Sequence, residues 1–390
     1  MDFDLTEEQA LLKSNVRTFL EAEIAPQVAQ YEAKGPLSRE ETIQFIKQLM
    51  PFGYYNGRLS EEYGGASLDA KTYGLLQEEL SRIWPALCGT LWIAGGSQAP
   101  HFLTDADQRA FRDRVRAGES IGSGGISEPE HGSDASLMDT NAQLDGDEWI
   151  VNGTKTWISN GPICDHIQLS LTVDKSQGRD GIRRLYVDRE QSGFETVRHN
   201  ALLGLRAWPN GELLFDDVRV PRQHLVDPRT VKQTDAGEKK RVWHFDQPRT
   251  LLAIMSVGIA QAALDASIKY AQERRQFGRP IGKFQLVQEM IAEMAMETEA
   301  ARYLTYKAMD LQDKGEDAIW QSSAAKAYAT DMAIRVTSKA IEVHGAVGLM
   351  EDFPLERYFR DARSLTIPDG TTEIQKLVIA RKLLGISAIS

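Results

Sequence analysis

The stretch Trp149-Ile150-Val151-Asn152-Gly153-Thr154-Lys155-Thr156-Trp157-Ile158 stands near the middle of a 390-residue chain and decides the reading of its fold. Aromatic and β-branched residues dominate it, which favours strands. Asn152-Gly153 supplies the positive φ values of a type I′ turn, so the spacing predicts a hairpin centred there. Ile167-Gln168-Leu169-Ser170-Leu171 alternates in the same way, and so do residues 212–220, where Pro221 ends the run. Residues 121–235 therefore read as an antiparallel β domain. The pattern carries no alternating β-α units, which argues against a doubly wound sheet.

The flanks read differently. In residues 1–120, Thr6-x-x-Gln9 is a capping-box pattern, and Leu11, Leu12, Val16 and Leu20 follow at helical spacing. Further helices are expected over residues 40–49, 69–84 and 105–117, with Gly64, Gly65 and Pro85 as interruptions. After a polar, linker-like stretch at 227–241, long helical runs return over 248–275, 284–313, 318–343 and 372–384. Asp246 suits an N-cap there, and Pro248 a first helical turn. Long amphipathic helices with short connections predict a four-helix bundle. The expected architecture is multidomain α and β: an N-terminal helical domain (1–120), a central antiparallel β domain (121–235) and a C-terminal helical bundle domain (236–390).

Lys and Arg number 45 against 56 Asp and Glu, a formal charge of −11. That field repels phosphate backbones and argues against nucleic acid as a partner. Two cysteines, Cys88 and Cys164, make neither a disulfide framework nor a metal knuckle and fit a reducing compartment. Residues 1–5 lack the basic and apolar regions of a signal peptide, and no uninterrupted apolar run nears the ~18–20 residues that cross a bilayer. A cytoplasmic protein without a membrane partner is expected. P-loop and H-E-x-x-H patterns are missing, the glycines at 122–125 lack Rossmann spacing, and none of the seven histidines forms a ligand pair, so no metal is expected.

Two segments carry chemistry. Ile126-Ser127-Glu128-Pro129-Glu130-His131-Gly132-Ser133-Asp134 is a small-polar loop. Its Ser127 and Ser133 hydroxyls, with backbone N–H groups beside Gly132, suit a polar ring edge and a phosphate. Trp157-Ile158-Ser159-Asn160-Gly161 offers an aromatic face beside a hydroxyl, suited to a flat heteroaromatic cofactor. Alone, a segment of either kind is more often an ordinary turn or hairpin.

Further motifs follow in order: Gly204-Leu205-Arg206, Phe215-Asp216-Asp217-Val218-x-Val220-Pro221, Glu273-Arg274-Arg275-Gln276-Phe277-Gly278, Phe284-Gln285, Gly345-Ala346-x-Gly348 and Gly370-Thr371-Thr372-Glu373-Ile374-Gln375. With these the chain resembles an acyl-CoA dehydrogenase over essentially its full length. The resemblance implies FAD, bound non-covalently, an acyl-CoA substrate, an electron-transferring flavoprotein as electron acceptor, and a homotetramer. It implies that Ile126, Ser127, Trp157 and Ser159 line the isoalloxazine ring, with Gly132 in the same loop. Ser133 would reach the pyrophosphate or the bound acyl-CoA. Arg274, Gln276, Phe277 and Gln285 would contact the FAD of a neighbouring subunit, a guanidinium fork being well matched to pyrophosphate. Glu342, Gly345, Ala346, Thr371 and Glu373 would complete the cofactor site. Asp246 and Arg249 would meet the CoA arm, although Asp246 also reads as a helix cap.

The same resemblance implies removal of a proton α to the thioester carbonyl while a β-hydride leaves for flavin N5. The base stands immediately before Gly-Thr, most often as glutamate; here that position is Asp369, with Gly370 beside the substrate. Relatives that supply the glutamate from the first C-terminal helix have their match at Pro248, which closes that route. Pro368-Asp369-Gly370 is also a good turn tripeptide. Asp369 is thus a turn residue, a weakened base or a working base one methylene (~1.5 Å) shorter than usual. The third is the expectation carried forward, with the backbone N–H of Asp369 and a ribityl hydroxyl of FAD polarising the thioester. A shorter base suits a substrate that is wide at the α carbon, since a one-ångström misplacement costs ~100-fold in rate. An alicyclic acyl-CoA such as cyclohexanecarboxyl-CoA is the expected substrate, and Ala94-Gly95-Gly96 either widens the acyl pocket or breaks a helix.

Other readings stay open: a short- or branched-chain acyl-CoA dehydrogenase, a nitroalkane oxidase-like flavoenzyme, which also uses an aspartate base, and an oxidase that uses oxygen directly. A non-enzyme alternative is a DNA-binding flavoprotein of the same superfamily. Those relatives are longer with a basic C-terminal region, whereas this chain ends at Ser390 with Lys382 as its last basic residue.

Overall fold

A computed structural model describes residues 5–96, 105–226 and 246–388. The linker-like stretch 227–241 and the boundary at 235/236 lie outside those residues. In the N-terminal part, α1 (Glu7–Phe19) opens on the expected capping box, with the Gln9 amide N–H donating to Thr6 Oγ1 at 3.2 Å and the Thr6 N–H to Gln9 Oε1 at 3.1 Å. α2 (Val28–Lys34), α3 (Arg39–Leu49) and α4 (Ala70–Ile83) follow, α4 capped by Asp69. Pro85 does end the run before it, but it also occupies the first position of a new helix, α5 (Pro85–Gly96), that the sequence reading missed. A proline loses nothing there because that N–H has no helical acceptor. α6 spans Asp105–Arg116. Gly95 does not widen a pocket: a Cβ there would sit 1.7 Å from the Tyr55 carbonyl oxygen, so the small residue serves close packing near the end of α5.

The middle part is one sheet: β1 (Gly122–Gly125), β2 (Asn141–Asp145), β3 (Glu148–Ser159), β4 (His166–Thr172), β5 (Ile182–Asp188), β6 (Phe194–His199), β7 (Asn210–Pro221) and β8 (Leu225–Val226). The order is β6-β7-β3-β2-β4-β5-β8, antiparallel except where β1 runs parallel beside β4 and β2 meets β4 at one parallel pair. The expected hairpin at Asn152-Gly153 does not form. β3 runs straight through those residues, and the β2–β3 turn lies at Gly146, φ +61°. Gly153 instead marks a register shift against β7, and its φ of +146° comes with a Cβ position 2.6 Å from the Thr140 Cα. Tertiary crowding, not turn chemistry, explains the glycine. Asn152 pairs with Asp217, donating from Nδ2 to Oδ1 and accepting from its N–H, both at 2.9 Å.

The C-terminal part holds α7 (Asp246–Glu273), a two-stranded ribbon of β9 (Arg275–Gln276) and β10 (Arg279–Pro280), α8 (Gln285–Asp313), α9 (Ile319–His344), α10 (Leu355–Ser364) and α11 (Thr372–Leu384). The sequence reading lacked α10. α9 packs on α7, α8, α10 and α11, and α7 crosses to α4, where Gly258 allows a Cβ position only 2.6 Å from the Glu78 carbonyl oxygen. Apolar residues of α1, α4, α5, α7 and α9 form one continuous core. α7 is long and apolar enough to cross a bilayer by length and composition, but Gln261 and Asp265 interrupt its apolar run and 78% of its apolar window is buried inside the protein, as befits a bundle-core helix.

Candidate active site

The candidate residues fall in three places. The first is the loop after β1 and the far end of β3. Lys155, buried on β3, donates to the Ile126 carbonyl at 2.9 Å and to Glu128 Oε1 at 2.7 Å. Glu128 also accepts the N–H groups of Asp139 (2.6 Å) and Thr140 (3.0 Å), while the Thr156 N–H donates to the Ser127 carbonyl at 3.0 Å. Burial lowers Lys155 to a pKa of about 8 against the pull of Glu128. Burial raises the Glu128 carboxyl, but the Lys155 charge and the hydrogen bonds outweigh it and the net direction is down. This network fixes the backbone of Ile126 and Ser127.

Two residues further on, a second β3 register shift puts Trp157 at φ +61° with its ring 58% exposed, between buried Thr156 and Ile158. A left-handed tryptophan is strained and persists only where its surroundings over-determine it. Here Ser123 Oγ donates to the Ser159 carbonyl (2.8 Å), and Asn160, also left-handed, donates its N–H to Pro209 O (2.7 Å) and its Nδ2 to Thr90 O on α5 (2.9 Å). Gly132 and Ser133 are exposed, and a Cβ at Gly132 would meet nothing within 4 Å. Glu128, His131 and Asp139 also bring three possible ligand atoms within 4.8 Å. Their partners are Lys155 for Glu128 and, for Asp139, Lys175 at 2.9 Å and His131 at 3.3 Å, so the trio reads as an ion-pair network.

The second place surrounds Asp369. This residue sits at φ +54° and Gly370 at +91°, two consecutive left-handed residues before α11. Burial raises the Asp369 carboxyl, with the Lys326 and Arg249 charges opposing. Arg249 is buried on α7, 3.8 Å from Asp246 Oδ1 and donating to Ser323 Oγ at 3.3 Å. The structure thus brings Asp246, Arg249, Asp369 and Gly370 into one cluster. It adds two residues that received no role from sequence. Lys326 of α9 donates to the carbonyls of Thr366 (2.7 Å) and Gly370 (2.8 Å); Gln375 of α11 donates to those of Asp369 (2.9 Å) and Gly370 (2.8 Å). Thr371 caps α11, and with Glu373, Asp331, Arg363 and Lys376 it lines a cavity of about 180 Å³.

The third place is peripheral. Phe277 (φ +50°) and Gly278 (φ +79°) turn the β9–β10 ribbon, leaving Phe277 92% exposed; Arg274, Gln276 and Gln285 are exposed beside it. Glu342, Gly345 and Ala346 are exposed at the end of α9. Among the described residues, no hydrogen bond joins either group to Asp369 or Trp157. The Gly204-Leu205-Arg206 motif serves the fold: buried Asp361 accepts the Leu205 N–H at 2.6 Å, Glu32 accepts the Arg206 N–H at 3.2 Å, and Gly204 lies against the Arg360 backbone.

Comparison with known proteins matches these parts one by one. Residues 6–119, 123–218 and 236–384 match the N-terminal, middle and C-terminal domains of acyl-CoA dehydrogenase. The chain belongs to the acyl-CoA dehydrogenase family. It is 36% identical to the probable acyl-CoA dehydrogenase YngJ of Bacillus subtilis, over 98% of this chain and 100% of that protein. Among solved structures it is similar to butyryl-CoA dehydrogenase from Megasphaera elsdenii (TM-score 0.88, 31% identity, 98% and 100% covered). It is also similar to a structure described as the electron transferring flavoprotein of Acidaminococcus fermentans (TM-score 0.89, 35% identity, 98% and 100% covered). For an acyl-CoA dehydrogenase the sequence offered one signal for each missed residue: Lys326 is a charge set between two alanines in the first half of α9, and Gln375 closes a quoted motif.

Proposed function

We propose that this acyl-CoA dehydrogenase uses FAD and Asp369 to form an α,β double bond in an acyl-CoA thioester. The observation that carries the reading is a carboxyl group held in a left-handed turn between two buried cations, Lys326 and Arg249. Ionised, it accepts the α proton; its backbone N–H polarises the thioester carbonyl as enolate character develops. The two cations stabilise the negative charge that proton loss leaves on Asp369, which favours the ionised form against the effect of burial. Activity therefore falls as pH drops through the Asp369 pKa, which burial places above its ordinary value.

The chain's own groups fit FAD. Exposed Trp157 offers a ring face, the clamped Ile126–Ser127 backbone and the Ser159 side chain offer polar edges, and exposed Arg274 and Gln276 suit pyrophosphate. Gly132 and Ser133, Phe277 and Gln285, and Glu342, Gly345, Ala346, Thr371 and Glu373 complete the assigned contacts. FAD, when bound, supplies the acceptor for the hydride that leaves the β carbon. Asp246 and Arg249 are assigned to the CoA arm, and Arg249 also bears on the base.

The substrate is an acyl-CoA broad at its α carbon, an alicyclic one such as cyclohexanecarboxyl-CoA, because an aspartate reaches less far than a glutamate. The likeness to butyryl-CoA dehydrogenase of M. elsdenii favours a second, short-chain reading. The Acidaminococcus likeness supports an electron-transferring flavoprotein as acceptor. Exposed Phe277, Leu286 and Met296 support a homotetramer, and the buried free thiols of Cys88 and Cys164 suit a cytoplasmic setting. Anaerobic mixing with cyclohexanecarboxyl-CoA and with butyryl-CoA tests this: both bleach the flavin, the cyclic thioester faster. Faster bleaching by butyryl-CoA establishes the second reading, and no bleaching by any acyl-CoA overturns both.

A further inference from the structure

The turn that carries Asp369 is gripped from two helices. Lys326, fully buried on α9, gives both its hydrogen bonds to backbone carbonyls at the two ends of the turn, Thr366 and Gly370. Gln375, fully buried on α11, gives its amide to the Asp369 and Gly370 carbonyls. The fit is close: a Cβ on Gly370 would lie 2.8 Å from Gln375 Nε2. Burying an ammonium without a carboxylate in contact is unfavourable, and two left-handed residues in succession, one of them not glycine, are strained. Strain and a buried charge at one turn point to a conformation selected for placement. We propose that Lys326 and Gln375 are positioning residues that hold the backbone on both sides of Asp369 so that its carboxylate meets the α proton. This rests on Asp369 being the base.

The electrostatics add a second consequence. Lys326 is lowered to a pKa of about 8, by burial first, with Asp369, Asp331 and Glu373 favouring its charge and Arg249 opposing it. Below that value it is a cation near the base, as is Arg249, and each charge favours ionised Asp369. Lys326 therefore acts on both the place and the proton affinity of the carboxylate.

The test compares wild type, Lys326→Met, Gln375→Met and Asp369→Asn as FAD-loaded enzymes, by anaerobic stopped-flow bleaching with a saturating acyl-CoA from pH 5 to 9. Lys326→Met is expected to slow bleaching at least ~10-fold at nearly unchanged half-saturation, since misplacement affects the step and not binding. Its acid limb moves to higher pH, because loss of the cation lets Asp369 keep its proton. Gln375→Met is expected to slow bleaching by ~3–10-fold with the acid limb in place. A purely structural role would lower FAD content and melting temperature while leaving rate and acid limb of the loaded fraction alone. A loaded Lys326→Met enzyme with wild-type rate and acid limb overturns the proposal. Where Lys326→Met does not fold, an unchanged rate in Gln375→Met overturns it. Asp369→Asn separates the two claims: if it bleaches like wild type the base assignment has failed, whereas an inert Asp369→Asn beside fast Lys326→Met and Gln375→Met removes only the positioning role.

Discussion

Lys155 in the sheet and Lys326 in the bundle are both buried, both lowered to a pKa of about 8, and both hold backbone carbonyls of a loop that bears candidate site residues. They differ in what stands opposite. Lys155 touches a carboxylate, Glu128, which is itself bound to two amides, so the pair closes on itself and serves to fix Ile126 and Ser127. Among the described residues Lys326 donates only to carbonyls, and the carboxylate charges that act on it are those of Asp369, Asp331 and Glu373. A closed ion pair makes a rigid support; an open cation also tunes its neighbour. The sheet half supplies a fixed support, and the bundle half couples placement of the turn to the charge of Asp369.

Removing each lysine sharpens this contrast. Lys155→Met leaves Glu128 buried without its cation and is expected to lower unfolding free energy by ~3–5 kcal/mol, with loss of bound FAD, and adding Glu128→Gln should recover part of it. Lys326→Met leaves unpaired carbonyls but no orphaned contact charge, so ~1–3 kcal/mol is expected, with the larger effect on rate. Equal destabilisation in urea titrations would break the comparison.

The halves also differ in acid. His166 on β4 is buried, stacked on Tyr186 at 5.1 Å, with neither ring nitrogen hydrogen-bonded among the described residues, and burial lowers it to a pKa of about 3. The unfolded chain takes up that proton first, so stability present above pH 6.5 is lost as pH falls toward 3, by about 1.4 kcal/mol per unit at most. His166→Phe keeps the stack and is expected to flatten the acid side of a melting-temperature profile; an unchanged slope would contradict this. The smallest expected effect is at Trp157. Trp157→Asn relieves an exposed, left-handed aromatic residue and should change stability by less than ~1 kcal/mol while FAD affinity falls, measured by equilibrium dialysis.

Much of this was legible locally. The Thr6 capping box, the end of β7 at Pro221 and the span of α11 follow from neighbours in sequence. Pro85 and Asn152-Gly153 misled because the same residues satisfy two rules: proline also starts helices, and glycine also permits close approach, here to Thr140. The position of Asp369 came from a motif, but its grip did not. Lys326 lies 40 and 44 residues from the carbonyls it holds, a separation at which spacing carries no signal.

The central claim is that Asp369 removes the α proton of a bound acyl-CoA, and anaerobic stopped-flow spectroscopy of Asp369→Asn tests it most directly. The account predicts a yellow, FAD-loaded, folded protein whose bleaching by acyl-CoA is slowed by ~10²–10⁴-fold at every pH. Bleaching at the wild-type rate would contradict it and transfer the role of base to another residue.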